Sequence, residues 1–348
     1  MKNNIDPVLR SDLEHIAAIF PHWEELAGKS VFITGATGLV GSMLVRTLCA
    51  APADITVIAH VRNVEKAKAM FDGLPVVFCP GDVTAPVEFD GTVDHILHTA
   101  SVTASKSFVT EPVQTLMTAI DGTKNLLEFA REKNVTSMVY VSSMEAFGIT
   151  APSLDRVTEK DLGYIDILSV RSSYSEGKRI CECLCAAYAA QYGVPVKIAR
   201  LAQTFGAGVS VADGRVFAQF TKSCLSGSDI VLHTAGKSMG NYCYTADAVR
   251  GLLTILLKGE NANAYTVVNP ATSLQIREVA QLVSDTLTGG RTMIIFDIPE
   301  SALTYGYAPD VTMKLSGDKL MALGWKPEVD LPEMFRRLAA SFRAQEGV

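Results

Sequence analysis

Short unbroken apolar runs mark Val31 to Thr34, Ile55 to Val61, Leu74 to Phe78, His95 to His98 and Ser137 to Val141. A strand covered on both faces carries no alternation, so each run predicts a buried strand. Elsewhere apolar residues recur at helical spacing, over Ser42 to Cys49, Glu111 to Lys133, Ala246 to Lys258, Leu274 to Thr286 and Leu331 to Ala344. Strand and helix therefore alternate, the pattern of an α/β fold with a doubly wound parallel sheet. Two later runs, Val194 to Ala199 and Ala264 to Val268, read as further strands of that sheet. Residues 1–30 carry Leu13, Ile16, Ile19 and Phe20, which predict an extra helix packed ahead of the first strand, with no chemistry assigned to it.

The first strand breaks into Gly35, Gly38 and Gly41, and the second helical pattern follows at once. Glycines at such a turn let the backbone approach a pyrophosphate, which then rests on the N–H groups and positive end of the new helix. Gly35, Thr37, Gly38, Leu39, Val40 and Gly41 are thus the candidate phosphate cradle of a dinucleotide. A tight strand-to-helix turn without ligand is the plain alternative. The end of the second strand normally selects the dinucleotide: a carboxylate there binds the ribose hydroxyls and repels a 2′-phosphate. This chain has His60, Val61, Arg62 and Asn63 instead. Arg62 is open to three readings: holding a 2′-phosphate, stacking on adenine, or a solvated surface arginine. Asp82 and Val83 follow the third strand, where the carboxylate is placed either to accept from an adenine amino group or to close a turn. Thr99, Ala100 and Ser101 are small residues past the fourth strand, where backbone can approach the cofactor; His98 beside them reads as packed rather than catalytic.

Ligands bind at the carboxyl ends of parallel strands. The fifth strand ends in Ser142, Ser143, Met144 and Glu145, which places Ser143 and Glu145 for chemistry. Further on, Tyr174 and Lys178 are four residues apart, on one helix face. A neighbouring ammonium favours phenolate and draws the tyrosine toward working pH, the behaviour of a proton-transfer group. A surface pair is the alternative.

Composition narrows the class. The 348 residues suggest about two domains. We expect residues 1–200 plus about 243–268 to form a dinucleotide-binding domain with its N-terminal helical extension, and 201–242 plus 269–348 a smaller α/β substrate cap. A net charge of −6 gives no nucleic-acid surface. No apolar run spans a bilayer and the N-terminus lacks a secretion core, so a cytoplasmic protein is expected. Seven cysteines without paired spacing argue against disulfides. Cys181, Cys183 and Cys185 lie in a helical pattern that splits them between faces, so no metal site is expected.

With TGATGLVG at 34–41, GDV, HTAS, VYVSSMEAFG, YSEGK and LGW at 323–325, the chain resembles an extended short-chain dehydrogenase/reductase of the NAD-dependent epimerase/dehydratase family. Within it, RSSYSEGKR at 171–179, RLAQTFGAG at 200–208 and DGRVFAQF at 213–220 are most similar to UDP-glucuronate decarboxylases. The resemblance implies NAD or NADP along the strand ends and a nucleotide-sugar substrate. It also implies a catalytic Tyr174 that takes a proton from a sugar hydroxyl as hydride leaves the same carbon, with Lys178, Ser143 and Glu145 as its companions. Departures are informative. Met144 stands where dehydratases carry an aspartate and decarboxylases a serine, and it cannot donate a proton. Gln203 replaces an asparagine in the substrate loop, Ala119 replaces another, and Gly240 stands where many members place an arginine on the diphosphate. Arg215 is the remaining candidate for that diphosphate, or a surface arginine.

The leading expectation is a nucleotide-sugar-modifying enzyme of epimerase, dehydratase or decarboxylase type. It oxidises the sugar transiently and restores its nicotinamide each turnover. The alternatives are an NADPH-dependent reductase of a sugar or sugar-phosphate carbonyl and a non-catalytic nucleotide sensor. Ile180, Leu184 and Tyr188 form an apolar stripe that is expected to bury against either a second subunit, as in family homodimers, or the chain's own core.

Overall fold

A computed structural model describes residues 5–298 and 310–346. Seven parallel strands form the central sheet: Lys29–Thr34 (β1), Ile55–Val61 (β2), Val76–Pro80 (β3), His95–His98 (β4), Ser137–Ser143 (β5), Val196–Leu201 (β6) and, after several cap elements, Ala264–Val267 (β11). Their order is β11-β6-β5-β4-β1-β2-β3, with every pairing parallel. Strand order reverses between β1 and β4, and such a switch point opens a crevice at the carboxyl ends. Leu39–Cys49 (α2), Val64–Met70 (α3), Ser107–Thr110 (α4), Pro112–Glu132 (α5) and Ser173–Tyr192 (α6) connect these strands, with Pro7–Ile19 (α1) ahead of them.

Side chains of β1 divide the core by their period of two. Val31 and Ile33 join the core on the α2 side of the sheet, while Phe32 joins the separate core holding Leu126 and Phe129 of α5 and Cys181 and Cys185 of α6. Phe32 is fully buried, its ring 5.0 Å from that of Phe129. Emptying that position by Phe32→Ala costs about 3–5 kcal/mol. Cys181 and Cys185 are buried thiols and Cys183 is exposed, and among the described residues no cluster of metal-ligating side chains exists.

The third strand starts later than Leu74 and ends later than Phe78. Leu74 is used in a turn, its N–H donating to Phe71 O at 3.0 Å, and Pro80 is admitted because β3 is an edge strand that needs no donor there. Gly38 caps α2, so that helix begins at Leu39 rather than Ser42.

Past β6 the chain makes short two-stranded ladders: Gln203–Phe205 (β7) with Tyr242–Tyr244 (β10), Ile230–Leu232 (β8) with Ile294–Phe296 (β13), and Met239–Gly240 (β9) with Leu274–Gln275 (β12). Val216–Ser226 (α7), Thr245–Lys258 (α8), Ile276–Thr288 (α9), Asp318–Met321 (α10) and Leu331–Glu346 (α11) complete the fold. α8 returns to the sheet and packs on α2 and β5, and β11 joins β6, so the later segments interleave with the first half. The expected N-terminal helix is present as α1, with Leu13, Ile16 and Phe20 buried and Ile19 half-buried. No helix among the described residues is long and apolar enough to cross a membrane.

Candidate active site

The turn after β1 is shaped by what a side chain would strike. Gly35 has φ +63°, and a Cβ there would stand 2.7 Å from Ala100 N and 2.9 Å from Thr99 Oγ1. A Cβ on Gly41 would overlap Gly35 O, so α2 can approach the turn only through glycine. Gly38 N donates to Gly35 O at 2.9 Å, and Thr99 Oγ1 donates to Thr34 O at 2.6 Å, tying β4's end to β1's. Ala100 N donates to Thr34 Oγ1 at 3.2 Å, and Ser101 Oγ donates to Val102 O at 3.3 Å. The N-cap of α2 offers no side-chain acceptor and its first turn no acid, so the leading N–H groups keep their affinity for an anion. This cradle fits the pyrophosphate of a dinucleotide, with Thr37, Leu39 and Val40 alongside the glycines.

At the end of β2, the Arg62 side chain is 81 % exposed and its Nη1 lies 3.8 Å from Asp82 Oδ2. Asp82 also accepts from Thr84 N (2.9 Å) and Thr84 Oγ1 (2.8 Å), and those donors hold its carboxyl below the usual range. Val83 is buried, and its carbonyl accepts from Asn125 Nδ2 at 3.0 Å. His98 is packed: Nδ1 meets Thr34 Oγ1 at 2.7 Å, and burial drops its pKa to about 3.

Four candidate residues converge at the end of β5. Ser143 stands near enough to the Tyr174 phenol to favour its ionised form, and its Oγ accepts from Glu145 N at 3.2 Å. Lys178, 3 % exposed, donates from Nζ to Val141 O at 2.8 Å and lies 5.6 Å from the Tyr174 ring centre. Burial brings its ammonium down to about 8. Tyr174 itself moves opposite to the sequence expectation. Desolvation, with the Glu145 carboxylate beside it, pushes the phenol above its ordinary value, and the Ser143 hydroxyl and the charges of Arg171 and Arg215 offset only part of that. In the chain alone, the lysine is spent on a carbonyl and does not bring the phenol down.

Three residues at this site escaped the sequence reading. Arg171 grips Glu145 with both ends of its guanidinium, at 3.0 and 3.1 Å, and Ser175 Oγ donates to the same carboxylate at 3.0 Å. Arg171 and Ser175 are one helical turn apart, which is the signal that sequence offers; their shared partner 26 positions before Arg171 is visible only in the fold. Phe108 of α4 stacks on Tyr174, centres 4.3 Å apart at 9°, and carries the Arg171 guanidinium 4.8 Å above its ring.

On the cap side, Gln203 begins β7 with its side chain exposed. Arg215 forks onto Asp213, with Nε 3.1 and 3.0 Å and Nη2 2.6 Å from its oxygens, and lies over Phe217 at 4.7 Å. Its side chain is 42 % exposed, and its charge is the smallest of the influences that lower the Tyr174 phenol. A side chain at position 240 requires Tyr242 to move, because a Cβ there would meet the ring and hydroxyl of that buried tyrosine. Met144 is buried with Phe147, Val157 and Leu315, turned into the core.

The outside comparisons agree with this geometry. A UDP-glucuronic acid decarboxylase of Danio rerio is 31% identical over 315 residues, 88% of this chain and 70% of the relative. The solved UDP-glucose 4-epimerase of Thermotoga maritima, with UDP-glucose, superposes with a TM-score of 0.77 at 21% identity, over 92% of this chain and 100% of that one. The dTDP-glucose 4,6-dehydratase of Bacillus anthracis, in complex with NAD, gives 0.74 at 18% identity, over 92% and 98%. The family model for the NAD dependent epimerase/dehydratase family matches residues 31–270. From the glycine turn of β1 through the Tyr174 helix to β11, the chain is an enzyme belonging to the NAD dependent epimerase/dehydratase family.

Proposed function

We propose that the chain acts on a UDP-linked sugar by oxidising it transiently, with uronate decarboxylation as the reaction to test first. The observation that carries this reading is the cluster of Ser143, Glu145, Tyr174 and Lys178 at the end of β5, with Lys178 5.6 Å from the Tyr174 ring centre and Glu145 N on Ser143 Oγ. Bound NAD supplies a reversible hydride acceptor. Tyr174 takes the proton of the sugar hydroxyl being oxidised, and Ser143 shares that oxygen by hydrogen bond. Lys178 holds the ribose of the cofactor and favours phenolate once the site is filled. Glu145, held by Arg171 and Ser175, handles the second proton. A ketone in the ring labilises a carboxylate on the neighbouring carbon, which makes a uronate the natural substrate. Met144 speaks against dehydration, because a thioether packed into the core offers no proton to a leaving hydroxyl. Arg215 takes the diphosphate, with Gln203 on the substrate and residues 201–242 plus 269–348 as the cap.

The test is turnover of UDP-glucuronate by purified chain without added nicotinamide, followed as release of carbon dioxide. Strict dependence on stoichiometric NADPH overturns it in favour of a net reductase, the reading supported by the exposed Arg62 at the end of β2. We further propose a homodimer through α5 and α6. Val113, Met117 and Ile180 are exposed there, whereas Leu184 and Tyr188 pack on the chain's own core and Tyr188 Oη donates to Glu128 at 2.6 Å. Light scattering at micromolar concentration checks it.

A further inference from the structure

Residues 5–28 precede the stretch that the family model matches, yet they hydrogen-bond residues late in the chain. Asp12 of α1 is 2 % exposed and accepts from Tyr244 Oη at 2.6 Å and from Arg337 Nη1 at 2.8 Å. Asp6 caps α1, accepting from Val8 N at 2.9 Å, and its other oxygen accepts from Ser341 Oγ of α11. Both partners then touch one loop. Tyr244 Oη accepts from Ala207 N at 3.5 Å, and Ser341 Oγ accepts from Gly208 N at 3.2 Å. Gln345, one turn on, accepts from Val211 N at 3.3 Å and donates to Val209 O at 2.8 Å. Each contact clamps backbone between β7 and the Asp213–Arg215 fork. That fork holds the Arg215 guanidinium against Asp213.

We propose that the N-terminal helix is a positioning element of the active site. Asp12 and Asp6, acting through Tyr244 and Ser341, fix the backbone of residues 207–211 and thereby set where Arg215 stands relative to Tyr174. The link to substrate rests on Arg215 taking a diphosphate, as proposed above. A loop left loose must be ordered when ligand binds, and that entropy is subtracted from affinity; braces made in the free protein remove the subtraction. The role is therefore felt in binding of the diphosphate and not in the chemical step or in the cofactor cradle.

The experiment uses the full chain and UDP as probe. Asp12→Ala deletes the acceptor of Tyr244, while Asp12→Asn retains one. By calorimetry, UDP binding weakens about tenfold in Asp12→Ala and about threefold or less in Asp12→Asn, with NAD affinity unchanged. By hydrogen exchange, the amides of 207–211 open at least about tenfold faster in Asp12→Ala while those of β1 keep their protection. Ser341→Ala and Tyr244→Phe are milder and show the same selective pattern, which keeps the test decisive if Asp12→Ala does not fold. Unchanged exchange at 207–211 in these variants overturns the proposal. So does a loss spread equally over NAD affinity and the whole exchange map, the mark of a merely structural helix. A wild-type chain that binds no UDP, with the selective exchange pattern intact, removes the diphosphate reading and leaves the bracing role standing.

Discussion

Lys178 on α6 and Lys197 on β6 are both buried against the central sheet, 3 % and 5 % exposed, and burial brings each ammonium down to about 8. They stand at opposite ends of it. Lys178 bonds Val141 O near the carboxyl end of β5, in reach of Tyr174. Lys197, near the start of β6, donates to Ser137 Oγ at 2.7 Å, and that hydroxyl donates onward to Leu256 O at 2.6 Å. His95 is buried near the same end, with neither ring nitrogen hydrogen-bonded. A depressed lysine is therefore no marker of a site by itself. The difference is what surrounds it: one lies 5.6 Å from the ring centre of Tyr174 beside a crevice, the other is tied to the Ser137 hydroxyl at the end where parallel sheets bind nothing.

The sharpest test of that contrast is at the phenol. Tyr174→Phe lowers kcat by about 10²–10⁴ with NAD retained, the span of a positioned proton-transfer group. A rate within tenfold of wild type removes Tyr174 from the chemistry. Next, Lys178→Met lowers kcat about a hundredfold, whereas Lys197→Met leaves it within about twofold. Equal losses break the comparison. Arg171→Lys cannot reproduce the two-pronged grip on Glu145, and we expect about tenfold in kcat with a shifted pH profile.

A smaller effect is thermodynamic. Both lysines titrate in the folded chain below the ordinary value of about 10.4, so between about 8 and 10.4 the unfolded chain holds the extra proton and stability climbs with pH. Below about 8 both states are charged and the burial penalty is full. Lys197→Met therefore stabilises by about 1–3 kcal/mol at pH 7, and the gain shrinks as pH passes 8 and nears 10. Denaturant melts at pH 7 and pH 10 measure it. A gain that grows with pH contradicts the assignment.

What could be read from sequence follows how each part is determined. β2 and β4 lie where the apolar runs put them, because a strand buried on both faces is specified by its own composition. The glycine turn is equally local: Gly35, Gly38 and Gly41 are demanded by backbone within a few residues of themselves. The substrate side is built from side chains far apart in the chain. Glu145 with Arg171, Asp12 with Tyr244 and Arg337, and Phe108 on Tyr174 each join separate elements, and no periodicity announces such pairs. The direction of the Tyr174 shift was misread for the same reason. Spacing put the lysine on the correct face, but desolvation and Glu145 act through three-dimensional surroundings.

The crowded space at position 240 bears on how this chain can diverge. Placing an arginine there is not a one-step exchange, because Tyr242, 1 % exposed and edge-on to Phe205 at 5.9 Å, must first give up its hydroxyl's place. The intermediate with a smaller residue at 242 carries a hole in the cap and no new charge to show for it. A path to a charged residue at 240 is thus ordered, with the packing change preceding the electrostatic one, and a library that varies position 240 alone is expected to favour glycine.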